Sequence, residues 1–202
     1  MERKFQTPSM PKTKQFDETE VLRKARNVFW VKGYNGTSMD ELVRATGLSR
    51  SSIYDTFGDK HGLFVRSIQL YGQEEREALA KIMQNDFSPK KKIHLLFKGM
   101  IGDILEDKDN KGCFIVNIIT ELSCLDKQVT AMASEEMARS EEALFQWVRQ
   151  GQAAGEINKS HSARTLARHL QNTIYGLRVT GKAGANRAIL EDIAKAALSV
   201  LD

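Results

Sequence analysis

The sequence predicts an all-α protein, with an N-terminal three-helix helix–turn–helix domain and a larger C-terminal helical domain. Three observations carry this. The three prolines all stand at or before position 89, leaving long helix-compatible runs after them. Val/Ile/Thr alternation of the strand type is nearly absent. Residues 37–57 read as two short capped helices joined by a tight turn.

At 202 residues the chain can bury one large or two small cores. The first residues carry no apolar signal-peptide core, and no run approaches a membrane span, so a cytoplasmic protein without a membrane partner is expected. Cys113 and Cys124 give neither a disulfide framework nor a zinc pattern. The formal charge is +4, and it is unevenly placed. Residues 1–66 hold 12 Lys/Arg against 8 Asp/Glu, whereas residues 67–202 hold 18 of each. The basic excess lies with the helix–turn–helix pattern, which suits contact with phosphate.

Residues 1–16 contain Arg3, Lys4, Pro8, Pro11, Lys12 and Lys14 with little apolar content, the composition of a flexible basic arm. A first helix is expected from about Asp17 to Lys32. Acidic residues occupy its first turn, and Val21, Leu22, Ala25, Val28 and Phe29 form its core stripe before Gly33. Ser38 and Glu41 form a capping box for a second helix with Met39, Leu42 and Val43 inward. Gly47 stands where a helix ends in a left-handed residue. Ser49 then caps a third helix that buries Ile53 and Phe57 and leaves Arg50, Ser51, Ser52, Tyr54, Asp55 and Thr56 for solvent. Hydroxyls, one Arg and one Tyr on a short exposed helix suit a DNA major groove; a plain helical hairpin with a polar face is the alternative.

The order Ala25, Phe29, Gly33-Tyr34, Thr37-Ser38, Leu42, Ala45, Gly47-Leu48-Ser49, Ile53-Tyr54, Phe57, Lys60 and Leu63 resembles the DNA-binding domain of the TetR family of bacterial regulators. The resemblance covers roughly 50 residues. It implies a DNA-binding domain over residues 17–62, with Ser49 to Phe57 as its recognition helix. Ser51, Ser52 and Asp55 are the candidates facing the groove, beside Arg50. Tyr54 resembles the family tyrosine that contacts backbone phosphate, and Lys60 the family lysine that meets phosphate. Thr37 and Arg44 are further phosphate candidates. Many members carry His or Tyr where this chain has Thr56, so a contact there is shorter or lost. Asp55 can accept from a cytosine amino group or serve as a solvated or capping carboxylate.

Residues 63–202 are expected to be a helical effector-binding and dimerisation domain. One long helix fits Lys60 to about Gln84, and Pro89 suits the first turn of the next, which runs to 106. The run after Cys113 is apolar nearly all round, so it reads as a buried helix. A long amphipathic helix follows from about Lys127 to Gln150, then two more at roughly 162–180 and 186–201. The apolar, aromatic and Met content exceeds what a DNA anchor requires. TetR-like bodies use such surplus to line a cavity for a small organic effector. The candidates for the lining are Phe97, Met100, Ile104, Asn117, Trp147, Asn172 and Tyr175, with ordinary core packing as the alternative for each. The resemblance also implies a homodimer through the last two helices, whose two heads read a palindromic operator in double-stranded DNA.

The Lys111-Gly112-Cys113-Phe114 run places a thiol at a helix N-terminus beside a lysine, features that lower a thiol pKa. Cys113 is therefore a candidate reactive thiol; resemblance to a TetR subgroup with a Gly-Cys at this place implies electrophile or oxidant sensing, and an inert packing cysteine is the alternative. The four histidines, His61, His94, His161 and His169, have no metal-ligand spacing. There is no nucleophile elbow and no phosphate-binding glycine loop, so neither an enzyme nor a cofactor is expected. The reading is a ligand-responsive regulator, most simply a repressor. A helical adaptor without DNA binding is the alternative of another class.

Overall fold

The computed structural model describes residues 16–202; the expected basic arm lies, but for its last residue, outside the described residues. Among these residues there are nine α-helices and a closing 3-10 turn, and no strand. In chain order they are α1 (Glu18–Lys32), α2 (Met39–Thr46), α3 (Arg50–Phe57), α4 (Lys60–Met83), α5 (Pro89–Glu106), α6 (Phe114–Leu122), α7 (Lys127–Ala153), α8 (Ala163–Lys182) and α9 (Arg187–Leu198). No described helix is long and apolar enough to cross a membrane.

The helix boundaries follow from local chemistry. The Asp17 carboxylate accepts from Thr19 N and Glu20 N and starts α1. Ser38 and Glu41 form the expected capping box on α2, and Gly47 ends that helix at φ +74°, a conformation costly for any residue with a Cβ. The Ser49 hydroxyl accepts from Ser52 N and starts α3. Pro89 occupies the first turn of α5 behind the Ser88 cap, where no amide hydrogen is required. Helix α7 runs three residues past Gln150 and ends at Ala153.

Two buried clusters organise the packing. The first joins α1–α4 to α6 and the start of α7, with Phe29, Phe64 and Phe114 fully enclosed. An aromatic chain runs through it: Phe29 lies edge-on to Phe64 at 4.8 Å, and Phe114 is edge-on to Tyr71 at 5.5 Å. The helix–turn–helix unit therefore shares its core with α6. The second cluster joins α5, the later part of α7, α8 and α9 around Phe97, Leu144, Val148 and Leu170.

Candidate nucleic-acid interface and internal cavity

Helix α3 presents its polar side as the sequence implies. Ile53 and Phe57 are buried, while Arg50, Ser51, Tyr54 and Asp55 are exposed and Ser52 and Thr56 half-buried. Tyr54 stands 44% exposed, unusually open for a tyrosine. The hydroxyls of Ser49, Ser51 and Ser52 are interlinked, Ser49 Oγ lying 2.9 Å from Ser51 Oγ and 2.8 Å from Ser52 Oγ. Arg50 Nη2 donates to Asp40 Oδ1 at 2.7 Å, an exposed pair of the kind that contributes little in water.

Lys60 heads α4, and its Nζ lies 4.4 Å from the centroid of the Tyr34 ring. Partial burial pulls its pKa down against the opposing pull of Glu121 and Glu41. Arg44 is exposed on α2. Thr37 departs from its expected role. It is 2% exposed, and its hydroxyl donates to Gly33 O at 2.6 Å, so it braces the α1–α2 loop and offers no group to phosphate.

A cavity of about 290 Å³ lies between α4, α5, α7 and α8, with Cys113 and Ile115 also in its lining. Its apolar wall includes Leu79, Ile82, Leu96, Met100, Leu144, Trp147 and Ile174. Of the seven expected lining residues, Met100, Trp147 and Tyr175 are there, and the candidate thiol Cys113 joins them. Four are elsewhere. Phe97 is fully enclosed in the second core cluster. Ile104 packs on Gly181, where an added Cβ would lie 2.2 Å from its Cγ2. Asn117 is consumed by structure, donating to Lys111 O at 2.9 Å and accepting from Lys182 Nζ at 3.1 Å. Asn172 is exposed on the outer side of α8. An amide in an apolar helix signals a need for partners, and here a neighbouring loop and helix supply them to Asn117.

The polar part of the cavity was not anticipated: Glu75, Arg76, Asp103, Glu136, Arg139 and Arg178 all line it. The i,i+4 spacing of Tyr71 and Glu75, and the i,i+3 spacing of Tyr175 and Arg178, put each pair on one helical face. That spacing was the available signal. Tyr175 is held by Gln171, whose Nε2 donates to its hydroxyl at 3.1 Å, and burial pushes its pKa up to about 12.

Cys113 is 6% exposed, and burial pushes its thiol pKa up, overriding the Val116 and Ile115 amides that pull it down. Lys111 does not help, because its Nζ turns to Asp107 and Asp109 at 3.6 and 3.7 Å. The expected lowering of this pKa is therefore reversed. Tight packing keeps water from the thiolate that the helix terminus would otherwise favour.

Residues 21–66 match the model of the bacterial regulatory proteins of the tetR family, and residues 89–197 match a tetracyclin repressor-like C-terminal domain. This chain belongs to the TetR family. It is 32% identical over 190 residues to the HTH-type transcriptional repressor ComR of Escherichia coli, covering 92% of this chain and 89% of ComR. It is 29% identical over 194 residues to the uncharacterized HTH-type regulator YezE of Bacillus subtilis, across 96% of this chain and all of YezE. Among solved structures it resembles a cysteine mutant of the TetR family regulator CifR in complex with a 26 bp operator. That likeness has a TM-score of 0.81 at 25% identity, over 95% of this chain and 100% of the other. Escherichia coli NemR in its reduced form shares the fold, with a TM-score of 0.84 at 15% identity over 92% of this chain and 98% of NemR. The chain is thus a TetR-type DNA-binding regulator, not an enzyme, and the helix–turn–helix and helical body have the TetR architecture.

Proposed function

We propose that this TetR-family regulator is a repressor that leaves a palindromic operator when a small organic effector enters the cavity between α4, α5, α7 and α8. The cavity carries the proposal: a largely apolar chamber with a few converging polar groups suits a small ligand. Its wall includes α4, the helix whose first turn holds Lys60, so a ligand that favours one setting of α4 shifts the DNA-reading surface. Relatives support the repressor reading, since ComR and a Mycobacterium relative, DhaR, are named repressors.

In this reading residues 17–62 contact DNA and residues 63–202 bind effector and dimerise. Ser51, Ser52 and Asp55 face base edges beside Arg50. Tyr54, Lys60 and Arg44 meet phosphate, with Ser49 holding the helix start and Thr56 at the margin. Two copies associate through α8 and α9, which leave Val179 and Ile189 about half exposed, at 53% and 47%, and Ile193 at 37%. Dimerisation sets two recognition helices on a two-fold axis, the symmetry of a palindrome. Selection of bound fragments from a random DNA library tests the proposal. It predicts a palindromic motif and recovery lost with a cavity-binding effector; a non-palindromic motif, or binding indifferent to every cavity ligand, refutes it.

A further inference from the structure

The recognition helix carries one arginine, and a carboxylate from the neighbouring helix holds it. Arg50 is the one Lys or Arg in α3 and stands at its first position. Asp40 lies ten residues earlier, in the first turn of α2, on the other side of the Gly47 turn. The two side chains meet through Arg50 Nη2 and Asp40 Oδ1 yet stay 54% and 77% exposed, open to a large partner.

An acidic first turn has a plainer use, since carboxylates there complement the helix dipole. Glu41 serves that end: its carboxylate accepts from Ser38 N and from the Ser38 hydroxyl, both at 2.9 Å, and completes the cap. Asp40 is directed elsewhere. Among the described residues its hydrogen-bond partner is Arg50, on the next helix.

Such a pair adds little to stability in water; its effect is on where the guanidinium points. A free arginine at a helix start reaches for phosphate and adds affinity without sequence information. Asp40 opposes this, because its charge offsets the attraction to phosphate and its oxygen holds Nη2. Asp40 accepts from Nη2 alone. Whichever Nη2 hydrogen it takes, one edge with two parallel donors is left, Nη2 with Nη1 or Nη2 with Nε. In the major groove guanine alone presents two adjacent acceptors, O6 and N7, and such an edge fits them. Adenine sets a donor beside its N7, and thymine a methyl beside its O4. We propose, resting on the reading that α3 enters a DNA major groove, that Arg50 and Asp40 together fix one guanine in each half-site. Arg50 reads the base, and Asp40 is its positioning residue.

The test is selection from a random DNA library by the full-length protein and by Arg50→Ala, Arg50→Lys and Asp40→Ala. Competition binding then compares the four bases at each half-site position, at several salt concentrations. The parent is expected to prefer guanine about tenfold or more at one position of each half-site. Arg50→Ala should erase that preference and leave the rest of the motif. Arg50→Lys keeps the charge without the fork, so it should keep the salt slope and lose most of the preference. Asp40→Ala should lower the preference at the same position while binding to the other three bases holds or rises. A merely structural role for Asp40 would instead weaken all four alike. Melting curves of each variant establish that it is folded. A palindromic motif with no Arg50-dependent guanine, or equal loss on all four bases in Arg50→Ala with a salt slope lower by about 1, overturns the pair and leaves the operator reading standing. A guanine preference unchanged in Asp40→Ala overturns the positioning role. Sequence-indifferent binding, or none, by the parent overturns both the pair and the operator reading.

Discussion

The Glu121 carboxylate at the end of α6 accepts the backbone N–H of Tyr34 at 2.9 Å. Its other oxygen accepts from Asn35 N at 2.8 Å, so one side chain clasps the α1–α2 loop. The approach is close because residue 33 is glycine: an added Cβ would stand 2.6 Å from Glu121 Oε2, and the backbone there has φ +76°. Beside it, His61 Nε2 lies 2.7 Å from Asp126 Oδ2, a second link between the head and the α6–α7 loop. The α6 helix begins at the cavity with Cys113 and ends on the head with Glu121, so it physically spans the two sites.

Loss of this clasp should cost stability and change the head together. Glu121→Ala leaves two amides short of partners, and a loss of about 1–3 kcal/mol is expected in denaturant unfolding. Gly33→Ala should cost a similar amount through its clash and strained backbone. The double variant should fall short of the sum, since removing Glu121 also removes the clash. Strict additivity would mean the two residues do not act through one contact.

DNA contacts should divide into two kinds. Tyr54→Phe and Lys60→Gln are expected to weaken binding on every sequence, and the lysine change should lower the salt slope by about 1. Ser51→Ala and Ser52→Ala should instead change which sequences are selected. Uniform loss across sequences from all four would remove the proposed division.

The caps give a simpler check. Ser38→Ala should cost about 1 kcal/mol, because Glu41 N loses its acceptor. Gly47→Ala should cost about 1 kcal/mol through its left-handed backbone alone, as nothing crowds the added Cβ. Equilibrium unfolding measures both, and an unchanged midpoint for either refutes the assigned role.

The thiols should react in the order of their environments. Cys124 is exposed and should be labelled at once, whereas Cys113 should wait for unfolding or local opening. Mass spectrometry of native protein treated with a thiol reagent distinguishes them. Fast labelling of Cys113 would restore the sensing alternative.

Glu75 makes a pH prediction of unusual sign. Its folded pKa is raised by burial, so its contribution is fully present below the ordinary glutamate range and is lost as pH rises through the folded value. Glu75→Gln should therefore raise the melting temperature at neutral pH, with the gain shrinking as the pH is lowered into the ordinary glutamate range. A variant less stable than the parent at neutral pH would show that the carboxylate is better compensated than its surroundings imply.

The sequence by itself determined the head. Ser38, Glu41, Gly47 and Ser49 act on neighbours within four residues, so α2, the turn and α3 are written locally, and helical spacing alone exposes Tyr54 and buries Ile53 and Phe57. The same local logic bounded α4 and α5 to within a residue or two, and placed the start of α6 beside Cys113. Thr37 was misjudged because its acceptor, Gly33 O, becomes available only when the loop closes. The cavity was decided by tertiary structure. Met100 and Phe97 share a helix and an apolar character, yet one lines the chamber and the other is sealed in the core, a difference set by how α5 meets α7 and α8. Glu75, Asp103 and Arg178 are far apart in the chain, and only the packing of three helices brings their charges to one space. Burial there also reverses the expected shift of the Cys113 thiol, since solvation is a property of the assembled protein and not of four consecutive residues.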